Sequence, residues 1–307
     1  MAVNKKIILQ RIRSVKNTRK ITKAMELVSA AKMKRSTEAV IGSRPYVEKL
    51  RAMVARIAQS RDISEHPLLV RREGRERVLL LLVMSDRGLC GGYNVQLARR
   101  VRQFLAEHAE GVHVDVIAVG KRAGHAAKRL GLTLKELYTN VTVSPTASHA
   151  RPMVRQILEG YSSEVYDDVF LAYTDFRSAI HQVPRVMTLL PMTKMFEEFG
   201  TAPTHVFDEA SREAPPAQSE AAPDALFEPD QETVLDLALT HITESMVYQA
   251  LLESSASEHS ARRMAMQNAS EAALEMIDAL TLTYNQARQA AITQEIAEIS
   301  SGKAALE

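Results

Sequence analysis

The chain has no tryptophan, a single cysteine and few aromatic residues. Its 307 residues include 7 Phe, 8 Tyr and 12 Gly. The lone cysteine, Cys90, excludes an intramolecular disulfide and is compatible with a reducing compartment. Because bulky aromatic residues are scarce, little material is present for a large compact core, and the composition favours a helix-rich, elongated protein.

Charge and hydropathy exclude further classes of protein. The formal net charge is only +2, so neither strong basicity nor strong acidity points to a partner. No apolar run approaches the roughly 18 to 20 residues that span a bilayer, and the first residues lack the apolar centre of a secretory signal. The basic opening KKIILQRIRSVKNTRK has the composition of a mitochondrial transit peptide, but its pattern runs on far beyond a cleavable leader. We therefore expect membrane association to go through a partner.

Both ends of the chain are nearly without helix breakers. Between Asn4 and Ala58 only Gly42 and Pro45 interrupt a helical spacing, and residues 231–300 contain neither Gly nor Pro. At 1.5 Å per residue the first segment would be about 80 Å long, more than a compact domain of this chain could cover. The predicted contact positions recur at three and four residues: Ile8, Ile12, Val15, Thr22, Met25, Val28 and Ala31 in the first segment, and Ala269, Ala273, Met276, Leu280, Tyr284, Ala287 and Ala291 in the last.

The two ends carry opposite charge. Residues 1–58 contain 15 Lys and Arg against 3 carboxylates, whereas residues 230–307 contain 12 carboxylates against 4 Lys and Arg. Oppositely charged helices from the two ends of one chain are expected to pair, and the domain between them allows them to lie antiparallel. The sequence therefore predicts a long antiparallel two-helix coiled coil from residues 1–60 and 231–307.

The middle of the chain, residues 75–195, alternates extended and helical patterns. RVLLLLVMS, VHVDVIAVG, LKELYTNV and DVFLAYTDF are typical of strands, and the first and last are apolar enough to be covered on both faces. Three helical segments lie between them, which predicts an α/β domain with a mostly parallel sheet. QVPRVMTLLP is a further predicted strand, which Pro184 places near an edge. Residues 200–230 are rich in Pro, Ala and Glu, and we expect them to form an exposed loop.

The glycine-rich stretch SDRGLCGGYN, residues 85–94, follows the first predicted strand. Gly88, Gly91 and Gly92 have neither the dinucleotide spacing G-x-G-x-x-G nor that of a phosphate loop, so a tight strand-to-helix turn is favoured over a nucleotide site. Cys90 is predicted to be a small buried residue rather than a nucleophile. Asp86 and Arg87 are interpreted as an ion pair or a helix cap rather than as an acid and base pair.

The sequence gives little support to two other kinds of site. The nine His residues are scattered without metal-ligand spacing, so no metal site is predicted. The basic helix ITKAMELVSAAKMKR is the basis of the alternative hypothesis, a nucleic-acid binder, which the lack of interleaved aromatic residues and the acidic helix elsewhere disfavour. No catalytic or cofactor-binding residue is predicted.

Four separated motifs identify the chain as similar to the gamma subunit of the F-type rotary ATP synthase. They are NTRKITKAMELVSAAKMKRS, SRPYVEKL, SDRGLCGGYN, and the C-terminal pair SSASEHSARRMAMQNAS and YNQARQAAITQEIAEISSG. The resemblance implies a curved antiparallel coiled coil inserted in a ring of alpha and beta subunits. It also implies a central Rossmann-like domain that binds no nucleotide and lies beside the epsilon subunit on the membrane-embedded c-ring.

The resemblance also implies contact residues. Lys23 and Met25 match positions where the family's shaft meets the beta subunits, and four further residues match polar catches against the ring: Arg262, Arg288, Gln289 and Thr293. We expect these polar contacts to form and break as the shaft turns, with the small-residue surface SSASEHSA permitting sliding. The single cysteine excludes regulation by a plant-type dithiol insert, and the expected location is the cytoplasmic face of a bacterial plasma membrane.

Overall fold

The computed structural model describes residues 5–58, 66–70, 72, 74, 76–109, 111–193 and 230–304. Residues 31–261 form one compact unit, and residues 1–30 together with 262–307 form another. The loop predicted for residues 200–230 lies outside the described residues, apart from its last residue, Asp230.

The two ends of the chain are long helices, as predicted. Helix α1 covers Lys5–Ala58, and helix α5 covers Gln231–Ala304. Asp230 caps α5, because its carboxylate accepts hydrogen bonds of 2.8 Å from both the backbone N–H and the hydroxyl of Thr233. In the larger unit the Oγ atoms of Ser36 and Ser255 lie 3.1 Å apart, and Ser43, further along α1, donates to Gln249, earlier in α5. The two helices therefore run in opposite directions there.

Between these helices lies an α/β domain with five strands among the described residues. Its elements in chain order are β1 (Arg77–Val83), α2 (Tyr93–His108), β2 (His113–Val119), α3 (Lys121–Arg129), β3 (Thr133–Tyr138), α4 (Ala147–Ser162), β4 (Asp168–Phe176) and β5 (Gln182–Leu190). The sheet order is β3-β2-β1-β4-β5, with β5 antiparallel and every other neighbouring pair parallel. The predicted strands, the mostly parallel sheet and the edge position of Pro184 are confirmed.

The central strand β1 is apolar throughout because both faces of the sheet are covered. Leu79, Leu81 and Val83 pack with α4 and the first part of α5. On the opposite face, Val78 and the other alternate residues of β1 pack with α2 and α3. This is the arrangement expected for a parallel strand inside a layered α/β domain.

Burial along the two long helices corrects part of the predicted contact face. In α1 Ile8, Ile12 and Thr22 are buried as predicted, but Val28 is 57% exposed and the adjacent Ser29 is buried instead. In α5 Ala273 is buried, whereas Met276 is 54% exposed and the adjacent Ile277 is buried. Apolar periodicity misplaced these positions by one residue because the contact face includes small polar residues: Thr22, Ser29, Ser36, Ser255 and Ser270.

Candidate functional site

The six residues assigned from the resemblance lie at separate places on the two helices. Lys23 is exposed on α1 and forms an ion pair of 3.1 Å with Glu26, while Met25 is partly buried and its carbonyl accepts a hydrogen bond from Ser29. Arg262 is only 8% exposed. Arg288, Gln289 and Thr293 are exposed on α5, and the Thr293 hydroxyl donates to the Gln289 carbonyl.

These residues do not form one site. Arg262 and Arg288 are separated by about 39 Å along α5 at the ordinary helical rise. Arg288, Gln289 and Thr293 fall within two turns of the helix and share one exposed stretch. In that stretch the three side chains are exposed and can contact a partner, whereas the Arg262 side chain has little accessible surface.

A groove of about 960 Å³ lies in the smaller unit, between α1 and α5. Its α1 wall is basic, with Lys23 among five Lys and Arg residues, and its α5 wall contributes Glu271, Leu274 and Ile277. The exposed ends of Leu27 and Leu274 add apolar surface to the same groove. The groove therefore offers cations and apolar side chains together, with Glu26 and Glu271 among its lining residues.

The last part of α5 has no buried residue among those described, from Thr281 to Ser301. Several of its exposed side chains are large and apolar, including Leu282 at 61%, Ile296 at 59% and Ile299 at 74%. Isolated apolar residues on a surface are ordinary, but a row of them on a helix without a covered face is typical of a surface that a partner covers.

Residues 251–260 of α5 show the opposite behaviour, since all ten are buried. A helix that is buried on every side is normally apolar, yet this one contains Glu253, Glu258 and His259. The hypothesis that SSASEHSA is a sliding surface is wrong, because residues 254–260 are enclosed by the rest of their own unit. Its small side chains instead let α5 approach neighbouring elements closely.

The buried segment joins α1, α5 and the end of β4. Val40 of α1, Phe176 of β4, and Leu252 and Ala256 of α5 form one apolar cluster. Polar contacts surround this cluster: the Ser255–Ser36 pair, and the Ser257 hydroxyl, which donates to the Thr174 carbonyl over 3.3 Å. These contacts tie the long helix to the sheet at several points.

A charged cluster completes this junction. The buried Asp175 carboxylate accepts from Nε of Arg177 at 2.8 Å and lies 3.6 Å from Nε of Arg185. Burial, followed by the nearby Glu253 and Asp175, raises the pKa of Tyr173 above its ordinary value. Burial and then Glu258 raise the pKa of Tyr93 in the same way. We call this set of contacts around residues 251–260 the buried junction.

Sequence reasoning missed the buried junction as a functional feature. The available signal was the run ESSASEHS, which offers α5 no apolar stripe and still lies inside an uninterrupted helix. A helical segment with this composition needs polar partners on every side, which only the surrounding fold can supply.

The glycine turn after β1 is a structural turn. The Asp86 carboxylate accepts from the backbone N–H of Lys121 at 3.1 Å and of Asn140 at 2.9 Å, so it caps the start of α3, and the interpretation as a helix cap is confirmed. Cys90 is 2% exposed and accepts from the Asn94 amide at 3.2 Å, which confirms the prediction of a buried cysteine. Within the described ranges, no group of three or more His, Cys, Asp or Glu is arranged to hold a metal ion, and none of the described helices is long and apolar enough to cross a membrane.

Comparison with known proteins agrees with this architecture. The family model described as ATP synthase matches residues 4–306. A curated relative from Geobacter metallireducens, "ATP synthase gamma chain", is 42% identical over 97% of this chain and 96% of its own length. A relative of the same name from Geotalea uraniireducens is 39% identical with the same coverage.

Solved structures show the same fold. A chain in the cryo-EM structure of the central stalk and c-ring of the Tetrahymena thermophila mitochondrial ATP synthase has a TM-score of 0.58 at 26% identity, covering 81% of this chain and 99% of that one. A chain in the Euglena gracilis mitochondrial ATP synthase has a TM-score of 0.65 at 19% identity, covering 98% and 94%. The second likeness concerns the fold alone.

Proposed function

The chain belongs to the ATP synthase gamma chain family, and on that premise we propose that it is the central rotor shaft of an F-type ATP synthase. In this role it couples ion flow through a membrane c-ring to ATP synthesis or hydrolysis on the beta subunits. It is a non-catalytic subunit that requires no cofactor of its own. The observation that carries the proposal is the end of α5, where large apolar side chains stand exposed on a helix without a buried face.

The shaft itself is an antiparallel coiled coil of residues 1–60 and 231–307, with residues 75–195 as the Rossmann-like domain. The spacing of buried residues supports it. In α5 Met266, Ser270, Ala273 and Ile277 are buried at alternating steps of four, three and four residues. This is the period at which two helices interlock along a supercoil.

The proposed partners are the alpha and beta subunits of the catalytic ring, the epsilon subunit and the c-ring; nucleic acid is not among them. The proposed subunit-interface residues are Lys23, Met25, Arg262, Arg288, Gln289 and Thr293, of which Arg262 is largely buried within the chain itself. The basic groove beside Lys23 and the exposed end of α5 support this placement. The protein is then a peripheral membrane protein on the cytoplasmic face of the bacterial plasma membrane, held there through its partners.

The proposed mechanism is the mechanical transmission of torque to the catalytic sites. An asymmetric shaft inside a threefold ring presents a different face to each catalytic site, and differential contacts shift each site between conformations of different affinity. One elementary charge crossing 100 mV supplies about 2.3 kcal/mol, so several ion transfers must be accumulated for each ATP. The chain must therefore carry torque without slipping.

The buried junction is suited to carrying that torque. The α/β domain would receive force from the c-ring, and α5 would deliver it to the catalytic ring. Apolar packing among Val40, Phe176 and Leu252 and the hydrogen bond from the Ser257 hydroxyl to the Thr174 carbonyl both resist sliding of α5 against the sheet. Close-packed interiors transmit strain because they have few voids and low compressibility.

Reconstitution tests this function. Mg-ATP hydrolysis by a mixture of alpha and beta subunits is measured with and without a stoichiometric amount of the full chain. We expect a stable complex and high activity only when the chain is present. If the chain neither joins the complex nor changes its activity, the proposed rotor function is wrong.

A further inference from the structure

A second cleft, of about 400 Å³, lies beside the glycine turn in the α/β domain. It is bounded by the turn after β1 and by α2 and α3, which cover the same face of the sheet. The turn and the first residues of both helices stand at the carboxyl ends of parallel strands.

The lining of this cleft is strongly basic. Arg99 and Arg102 lie three residues apart on α2, and the α3 wall contributes Arg122, His125 and Arg129, which share one helix face. No carboxylate lines the cleft, and within the described part of the chain none of these four arginines forms an ion pair with Asp or Glu. All four are exposed at the cleft surface.

This concentration of positive charge creates electrostatic repulsion that a bound anionic ligand would relieve. Four guanidinium groups of like charge around one concavity repel one another. Elsewhere on α2 an arginine is paired with a carboxylate, since Arg100 lies 3.7 Å from Glu107. The Arg122 guanidinium also lies over Gly88, 3.0 Å from the position that a Cβ would take, so the glycine leaves room for it above the turn.

Most of the remaining lining is apolar. Leu89 and Val95 are 64% and 62% exposed at the mouth of the cleft, and Ala98 and Leu130 also line it. A ligand with a multiply charged phosphate group and a compact apolar or flat body would match both parts. Guanidinium groups bind phosphate oxygens through paired hydrogen bonds, and the cleft has the volume of a small-molecule site.

We propose that this cleft binds an anionic phosphate-bearing ligand, either a soluble phosphate ester or the headgroup of an anionic phospholipid. The arginine side chains of α2 and α3 hold the phosphate groups, and the turn contributes its apolar rim. The site is independent of the rotor function, because none of the residues assigned to the shaft interface lines it.

The test uses the full chain and inorganic pyrophosphate at low ionic strength, followed by isothermal titration calorimetry. In the double variant Arg102→Gln/Arg122→Gln we expect affinity to fall about tenfold or more, because two paired charged hydrogen-bond donors are lost. The control Arg100→Gln/Lys128→Gln removes the same charge from the same two helices outside the cleft lining. We expect it to change the affinity by no more than about threefold, as general screening would.

Two competition experiments distinguish the sources of the ligand. Displacement of pyrophosphate by ADP would identify a soluble phosphate ester, and displacement by phosphatidylglycerol vesicles but not by ADP would identify a lipid headgroup. Equal loss of affinity in the test and control variants, or absence of pyrophosphate binding by the wild-type chain, would overturn the site. Either negative result leaves the reconstitution of ATPase activity unaffected, so the two proposals fail separately.

Discussion

The Tyr93 hydroxyl donates a hydrogen bond to the backbone carbonyl of Ser254 over 3.3 Å, and both residues are buried. Tyr93 is the first residue of α2, directly after the glycine turn, and Ser254 lies in the buried part of α5. One side chain thus links the turn that ends β1 to the long C-terminal helix. The turn therefore serves the buried junction through Tyr93, whatever the adjacent cleft binds.

This contact predicts a loss of stability in alkali. Burial and the nearby Glu258 raise the pKa of Tyr93 above its ordinary value of 10.0, so the folded state holds the phenol proton more tightly than the unfolded state does. The stabilisation is complete below pH 10 and is lost as the pH rises toward the folded-state pKa. We expect the free energy of unfolding, measured by urea titration, to fall above pH 10 less steeply in Tyr93→Phe than in the wild type.

Tyr138→Phe is the comparison for this effect, because that phenol is partly exposed and its pKa is raised only to about 12. Both variants should flatten the slope between pH 10 and about 12, whereas above pH 12 only Tyr93→Phe should still differ in slope from the wild type. At neutral pH the loss of the Tyr93 hydrogen bond alone should cost about 1 kcal/mol. Identical pH slopes for the wild type and Tyr93→Phe would show that the Tyr93 phenol does not titrate differently in the folded protein.

The Asp175 cluster predicts a larger effect at neutral pH. Arg177 holds the buried Asp175 carboxylate at 2.8 Å, and Nε of Arg185 lies 3.6 Å from the same oxygen. Arg177→Gln should lower the free energy of unfolding by about 3 kcal/mol, since a buried charge loses its closest partner. Arg100→Gln, which breaks an exposed contact with Glu107, should cost less than about 1 kcal/mol. Equal losses in the two variants, measured by denaturant titration, would contradict a specific role for Arg177.

Much of the fold could be predicted from the sequence because its signals are local. β1 and β4 contain consecutive apolar residues, as strands covered on both faces do, and the long helices lack breakers apart from Gly42, Pro45 and Gly302. The contact face of those helices was harder to predict. Ser29 and Ile277 are buried beside the exposed Val28 and Met276, and small polar residues on the face blur its hydrophobic period.

The functional features depend on contacts between distant segments, which periodicity does not report. Glu258 lies in a sequence that resembles a solvated helix face, and it is buried because α1 and the end of β4 close over α5. The basic cleft was missed for a similar reason. Arg102 and Arg122 belong to two helices that become neighbours only when both pack on the same face of the sheet.

The glycine after β2 is predicted to be indispensable. Gly120 has φ +91°, and a Cβ there would lie 2.1 Å from the Met84 carbonyl oxygen, which belongs to the backbone and cannot move aside. Gly120→Ala should lower the free energy of unfolding by more than about 2 kcal/mol. Gly42→Ala is the control, because this helical glycine has open space around it, and it should raise stability by about 0.5 to 1 kcal/mol. Thermal unfolding of both variants tests the pair, and a neutral Gly120→Ala would refute the close approach.

The exposed stretch of α5 leads to a prediction about coupling rather than stability. Arg288 and Gln289 are exposed, so Arg288→Ala/Gln289→Ala should leave the denaturation midpoint of the chain unchanged. If these side chains form the polar contacts that couple rotation to the catalytic sites, ATP synthesis by vesicles carrying the assembled complex should fall about tenfold or more, equivalent to about 1.4 kcal/mol. Arg100→Ala/Gln103→Ala removes the same residue types from α2 and should retain synthesis. Both double variants remove one cation and one amide. A difference in ATP synthesis between them therefore reflects the position of the residues on the shaft and not the loss of charge. Unchanged synthesis with Arg288→Ala/Gln289→Ala would remove these two residues from the interface and leave the exposed apolar side chains of the same stretch as its contacts.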